Sequence, residues 1–110
     1  MYIFLNKGIK MSKGKIAVQA AHSACKAMII SEAEILRDWN NGSFVKIMLE
    51  ALSDKHIYTI EKYLNDNDIH CVTICDEGRT EIEPGSVTAL GVEILDREKC
   101  KDIMKGFKLY

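Results

Sequence analysis

Hydrophobic and polar residues alternate in blocks whose periods change along the chain, and those periods predict the elements. Residues 2–9 open with the apolar run Tyr2, Ile3, Phe4 and Leu5 and predict a short strand. Ser12 then precedes residues 14–30, an Ala-rich stretch without proline that predicts a long helix. A second helix is predicted over residues 32–39, stopped by Asn40, Asn41 and Gly42, which tolerate positive φ. In residues 44–51, Val45, Ile47, Leu49 and Ala51 fall on one face and Lys46 and Glu50 on the other, as in a half-buried strand. Ser53 is placed to cap a helix that carries Ile57, Ile60 and Leu64 at helical spacing and ends near residues 65–68. Strands are predicted at residues 69–75 and 87–95, separated by a polar stretch holding Pro84 and Gly85. A short helix follows, capped by Asp96.

The resulting order is β-α-α-β-α-β-β-α. Two strand–helix–strand crossovers make the first three strands largely parallel, and the short link before the fourth makes that one antiparallel. The fold class expected is α/β, a three-layer sandwich in which a four-stranded mixed sheet is covered by helices on both faces. A chain of 110 residues with no repeat, linker or low-complexity tract is read as one domain, residues 1–110.

No run reaches the roughly 18–20 apolar residues that span a bilayer. The opening Met1 to Leu5 is too short for a signal-peptide core, so a cytoplasmic location is expected. Cys25, Cys71, Cys75 and Cys100 include no Cys-x-x-Cys pair. Cys71 and Cys75 share a face of the predicted strand and read as core fillers. With His70 they fit no standard zinc spacing.

Charge changes the picture more. The formal net charge is −1, from 15 Lys and Arg against 16 Asp and Glu. Residues 1–31, however, hold Lys7, Lys10, Lys13, Lys15 and Lys26 and no acid, so that segment carries +5 and the remainder −6. Such asymmetry raises the question of a polyanionic partner.

Ligands of parallel sheets gather beyond the carboxyl ends of the strands. The expected topology brings residues 10–15, residues 76–80, and Ser86 and Thr88 to that edge. Lys13 and Lys15 stand at a helix N-terminus, where the dipole favours acids. Two readings stay open: a phosphate or anion site, or lysines that simply point into water. Lys15, Gln19, His22 and Lys26 form a stripe along the same helix, flanked by small residues suited to close packing on a sheet. It is either a working face or only a wet one. Ser12, Ser23 and Ser86 lack a Gly-x-Ser-x-Gly elbow, and neither a Walker loop nor Gly-x-Gly-x-x-Gly occurs. A carboxylate that orients water beside a lysine that stabilises negative charge fits these groups better than covalent catalysis.

Two segments resemble a known family. Lys10-Met11-Ser12-Lys13-Gly14-Lys15-Ile16-Ala17-Val18-Gln19-Ala20-Ala21-His22 is similar to the Lys-Met-x-x-Gly-Lys-x-Ala-x-Gln-x-x-His segment of the type 2 peptidyl-tRNA hydrolases. Asp76-Glu77-Gly78-Arg79-Thr80-Glu81-Ile82-Glu83-Pro84-Gly85-Ser86-Val87-Thr88 is similar to that family's Asp-Ala-Gly-Arg-Thr-Gln-Ile-x-Pro-Gly-Ser/Thr-x-Thr signature. Leu90-Gly91, Trp39 before a Gly-containing turn, and the final Lys108-Leu109-Tyr110 also resemble it. The resemblance implies hydrolysis of the ester joining a peptide to the 3′ end of tRNA, which recycles tRNA from aborted translation, with no metal or cofactor. It implies Lys15, Asp76, Thr80 and Thr88 as the catalytic set. In that reading Lys15 stabilises the oxyanion, Asp76 positions Lys15 or activates water, and the threonines hold water or carbonyl. Gln19, His22 and Arg79 match further motif positions, and Lys7, Lys10 and Lys13 would face the tRNA. Family members are commonly homodimers.

Two places depart from the pattern. Asn6-Lys7-Gly8 stands where Arg-x-Asp is usual, and Glu77 and Glu81 stand where Ala and Gln are usual. Added acids at a tRNA-facing rim oppose phosphate binding. The competing expectation is therefore a non-catalytic module of the same fold that binds tRNA or a protein.

Overall fold

In a computed structural model that describes residues 1–77 and 85–110, the elements follow the expected order. They are β1 (Tyr2–Asn6), α1 (Lys13–Ile29), α2 (Ala33–Asn41), β2 (Ile47–Ala51), α3 (Asp54–Asp66), β3 (Cys71–Cys75), β4 (Val87–Val92) and α4 (Arg97–Ile103). The sheet order is β2-β1-β4-β3. β1 and β2 are parallel, and β4 lies antiparallel between β1 and β3, so β1, β2 and β3 share one direction. Both caps read from sequence, Ser53 and Asp96, form, and Ser12 caps α1 as well. Ser12 accepts from the Lys15 amide, Ser53 from His56 and Asp96 from Glu98.

Each face of the sheet has its own core. Ile3, Leu5, Ile74 and Ala89 pack with Ala27 of α1 and Trp39 of α2. Phe4, Leu90 and Val92 pack on the other face with Ile57, Ile60 and Leu64 of α3 and Cys100 and Met104 at α4. Every residue of β4 is buried, as a central strand covered on both sides requires.

Several strand ends fall short of the sequence pattern, for local reasons. Phe44 has φ 53°, a left-handed conformation that delays β2 to Ile47, and exposed Val45 gives its carbonyl to the N-terminal ammonium and to the Trp39 indole. Asp68 has φ 57° and delays β3 in the same way. β1 stops at Asn6, whose carboxamide bends the chain by accepting from the Gly8 amide. Cys75 is exposed, so it is no core filler. β3 shifts register against β4 between Ile74 and Cys75, which takes Cys75 out of the regular alternation.

Asn6, at a position where a family pattern is broken, ties three elements. Its fully buried side chain donates to Asp54 Oδ1 at the start of α3 and to the Val87 carbonyl of β4, each at 2.7 Å. Asn6→Ala leaves the Val87 carbonyl without this donor and the half-buried Asp54 carboxylate with the Val87 amide but not the carboxamide, and it should cost on the order of 1–3 kcal/mol. A fall in the denaturation midpoint at constant slope checks this, and an unchanged midpoint contradicts it.

Candidate active site

Lys15 sits in the first turn of α1, and Asp76 directly follows β3. The Ser12 cap fixes where α1 begins, and Gly91 on β4 lets α1 lie close against the sheet. A Cβ there would stand 2.4 Å from the Ser23 carbonyl oxygen of α1. The Asp76 main chain is held from both sides of the intervening segment, its amide by the Ser86 carbonyl at 2.8 Å and its carbonyl by the Gly85 amide at 2.9 Å. Gly85 has φ 81°, a conformation that favours glycine there.

These constraints bring Lys15 Nζ onto Asp76 Oδ1 in a buried ion pair, with side-chain exposures of 8% and 5%. Removing two opposite charges from water costs several kcal/mol that their attraction only partly offsets, so stability is a poor reason for such a pair. One turn further along α1, Gln19 is also buried, and its Oε1 accepts from the Thr88 hydroxyl. The Ile74 carbonyl lies 3.3 Å from the same hydroxyl. Thr88 reaches α1 because of a bulge. β3 pairs Ile74 with Ala89 and Cys75 with Val87, so Thr88 is the extra residue on β4.

The polar stripe thus divides. Lys15 and Gln19 continue inward as a buried line with Ser23 and Ala27, while His22 and Lys26 stay exposed. Both exposed residues border an open groove of about 630 Å³ between α1 and β3, with Lys15 and Asp76 among its lining residues. Val18 and Ile29, 49% and 77% exposed, line it from α1, and Val72 and Ile74 line it from β3. The groove was not read from the sequence. Its signal is the series Val18, His22, Cys25 and Ile29 at helical spacing, which adds two exposed apolar residues beside the polar stripe.

The basic segment is also reshaped. Lys7 pairs with Glu50 of β2 at 3.0 Å and Lys15 with Asp76. Lys10 and Lys13 remain exposed at the start of α1 with no acid partner among the described residues. Glu77 is exposed at the groove. Arg79, Thr80 and Glu81 lie outside the described residues. Burial first, then the carboxylates of Glu61 and Glu93, push the Cys71 thiol up to about 11, which keeps it protonated and poorly nucleophilic. Among the described residues, no three or more of His, Cys, Asp and Glu are grouped to hold a metal, and no helix is long and apolar enough to cross a membrane.

Comparison with known proteins covers the whole of this arrangement. A family model described as peptidyl-tRNA hydrolase PTH2 matches residues 1–110. A peptidyl-tRNA hydrolase of Methanococcus maripaludis is 36% identical over 110 residues, covering 97% of this chain and 95% of its own. One from Thermoplasma acidophilum is 30% identical over 112 residues, covering 99% and 96%. A probable peptidyl-tRNA hydrolase 2 of Drosophila melanogaster is 34% identical over 95 residues, covering 84% of this chain and 51% of its own.

Proposed function

Because the chain belongs to the peptidyl-tRNA hydrolase PTH2 family and hydrolyses the ester between peptide and tRNA, we propose that the Lys15–Asp76 pair performs that hydrolysis. The supporting observation is a buried ion pair at an open groove, an arrangement whose desolvation cost stability alone does not explain. Water adds to the ester carbonyl carbon, and the Asp76 carboxylate accepts its proton. The carbonyl oxygen becomes an oxyanion. The Lys15 ammonium has three N–H donors, one of them directed at Asp76, and it is held beside the site where that charge develops. Collapse breaks the bond to the 3′ ribose oxygen, which leaves with the proton that Asp76 took from water and so restores the carboxylate. Peptide acid and deacylated tRNA are released.

Thr88 is a positioning residue in this scheme. Its hydroxyl is fully buried and bonds Gln19, so it holds α1, and with it Lys15, against the bulge of β4. His22 lines the groove and is exposed, which supports a role in substrate contact. Thr80 and Arg79 keep the roles their motif positions imply. A homodimer and a cytoplasmic location, the compartment of translation, belong to the same proposal.

The test is release of deacylated tRNA from peptidyl-tRNA by purified protein with a chelator present. Binding without release would establish the non-catalytic module instead. Lys10 and Lys13 supply the tRNA-facing charge in this reading. Replacing both by Ala should raise the tRNA dissociation constant and flatten the slope of log K against log salt by about 2. An unchanged slope would place the tRNA elsewhere.

A further inference from the structure

The groove beside the ion pair has a wall of a particular kind, the outer edge of β3. The opposite edge of the sheet is closed by the chain's own end. Leu109 bridges Leu49, the Glu50 amide donates to Lys108, and the Tyr110 amide donates to Met48. Nothing among the described residues pairs with the outer side of β3. An open edge is a hazard that proteins usually cover.

The pairing pattern shows which main-chain groups it presents. The Glu93 amide donates to the His70 carbonyl, and antiparallel ladders alternate between hydrogen-bonded and non-bonded pairs. The bonded set therefore continues through Val72 with Gly91 and Ile74 with Ala89, and the amide and carbonyl of Cys71 and Thr73 point away from β4. The Thr73 side chain turns to the other face of the sheet, where its hydroxyl donates to Glu61 of α3. Thr73 nevertheless lines the groove on the α1 side, so what it offers there is main chain.

We propose that the peptide half of the substrate adds to this edge as a further strand, parallel to β3, with its C-terminal ester at Lys15 and Asp76. The proposal rests on the hydrolytic role of that pair. Direction follows from the fold, since Asp76 lies at the C-terminal end of β3 and the peptide's own C-terminus must lie there too. Strand addition also answers a chemical requirement of the substrate class. Nascent peptides carry every side-chain sequence and share only a main chain, which an open edge reads without reading sequence. Alternate side chains would rest on Val72, Ile74, Val18 and Ile29, an apolar and unspecific floor. The five residues of β3 span roughly 17 Å, room for four to five residues of peptide. The tRNA then leaves toward Lys10 and Lys13 at the other side of the ion pair.

The experiment compares tRNAs that differ only in an N-acetylated peptide of one to six residues. Wild type should show kcat/KM rising about tenfold or more from one residue to four or five and then levelling, as successive main-chain bonds form. Thr73→Pro removes the outward amide while leaving the ladder to β4 intact, and it should bring the four-residue to one-residue ratio close to one. Thr73→Ala keeps the main chain and should keep the wild-type ratio. N-methylation of the substrate two or three residues from the ester should lower wild-type kcat/KM about tenfold. Each ratio is taken on one protein sample, so a partly unfolded variant does not distort it. Rates independent of length, a Thr73→Pro ratio like wild type, or indifference to N-methylation would each overturn the proposal. Absence of turnover by wild type on substrates of every length would instead overturn the hydrolytic assignment beneath it.

Discussion

Asp76→Asn and Lys15→Met should each lower kcat on peptidyl-tRNA by about 10²–10⁴-fold, and the double variant should be no worse than either alone. The expectation of non-additivity comes from geometry. Lys15 Nζ is held by Asp76 Oδ1 within a buried pair, so removing either partner disables the other. Stability should behave differently. Lys15→Met strands a buried carboxylate and should cost about 3–5 kcal/mol, whereas adding Asp76→Asn to it removes the stranded charge and restores much of that loss. A protein that regains its denaturation midpoint and stays inactive separates chemistry from folding. The affinity for tRNA should stay within about twofold, because Lys15 is buried against Asp76 and the exposed Lys10 and Lys13, to which the proposal gives the phosphate contacts, are unchanged. If the single losses multiplied in the double variant, the two groups would act independently. Full turnover by Asp76→Asn would remove it from the mechanism.

The convergence of Lys15 and Asp76 was legible in the sequence because it needed only topology. The two crossovers set the direction of three strands, and ligand-binding loops follow from direction. The caps at Ser53 and Asp96 were legible because capping is local chemistry. What was hidden depends on distant partners. Phe44 adopts a left-handed conformation that its residue type does not announce, Asp68 adopts one that its type only permits, and both shorten strands that the sequence pattern had extended. The bulge that turns Thr88 toward Gln19 is a mismatch between β3 and β4, visible in neither strand alone. Asn6 looked like a missing functional residue and is a structural junction, because its three partners come from residues 8, 54 and 87. Lys7 counted toward a basic patch until Glu50 on the neighbouring strand was found beside it. The stripe on α1 read as either wet or working. Its inner half is neither wet nor idle, since Lys15 and Gln19 point into the sheet and pair there.

That dependence of the site on the seating of α1 gives the second large effect. Gly91→Ala should destabilise the protein by about 2–4 kcal/mol and should also lower kcat, although Gly91 touches no substrate. A Cβ at residue 91 would lie 2.4 Å from the Ser23 carbonyl oxygen, 3.1 Å from its carbon and 3.3 Å from Ala27 Cβ. Two of these three atoms are helix main chain, which no change of rotamer can move. α1 must lift or slide, and Lys15 stands on the same buried line of that helix, two turns toward its start. A displacement near 1 Å at a catalytic group can cost about 10²-fold in rate, so kcat should fall by about 10–10²-fold while tRNA affinity holds. Adding Ala27→Gly removes the side-chain contact and leaves the main-chain one, so it should not rescue either property. Rescue by Ala27→Gly would show that side-chain crowding, rather than the approach of the helix backbone, sets the position of Lys15.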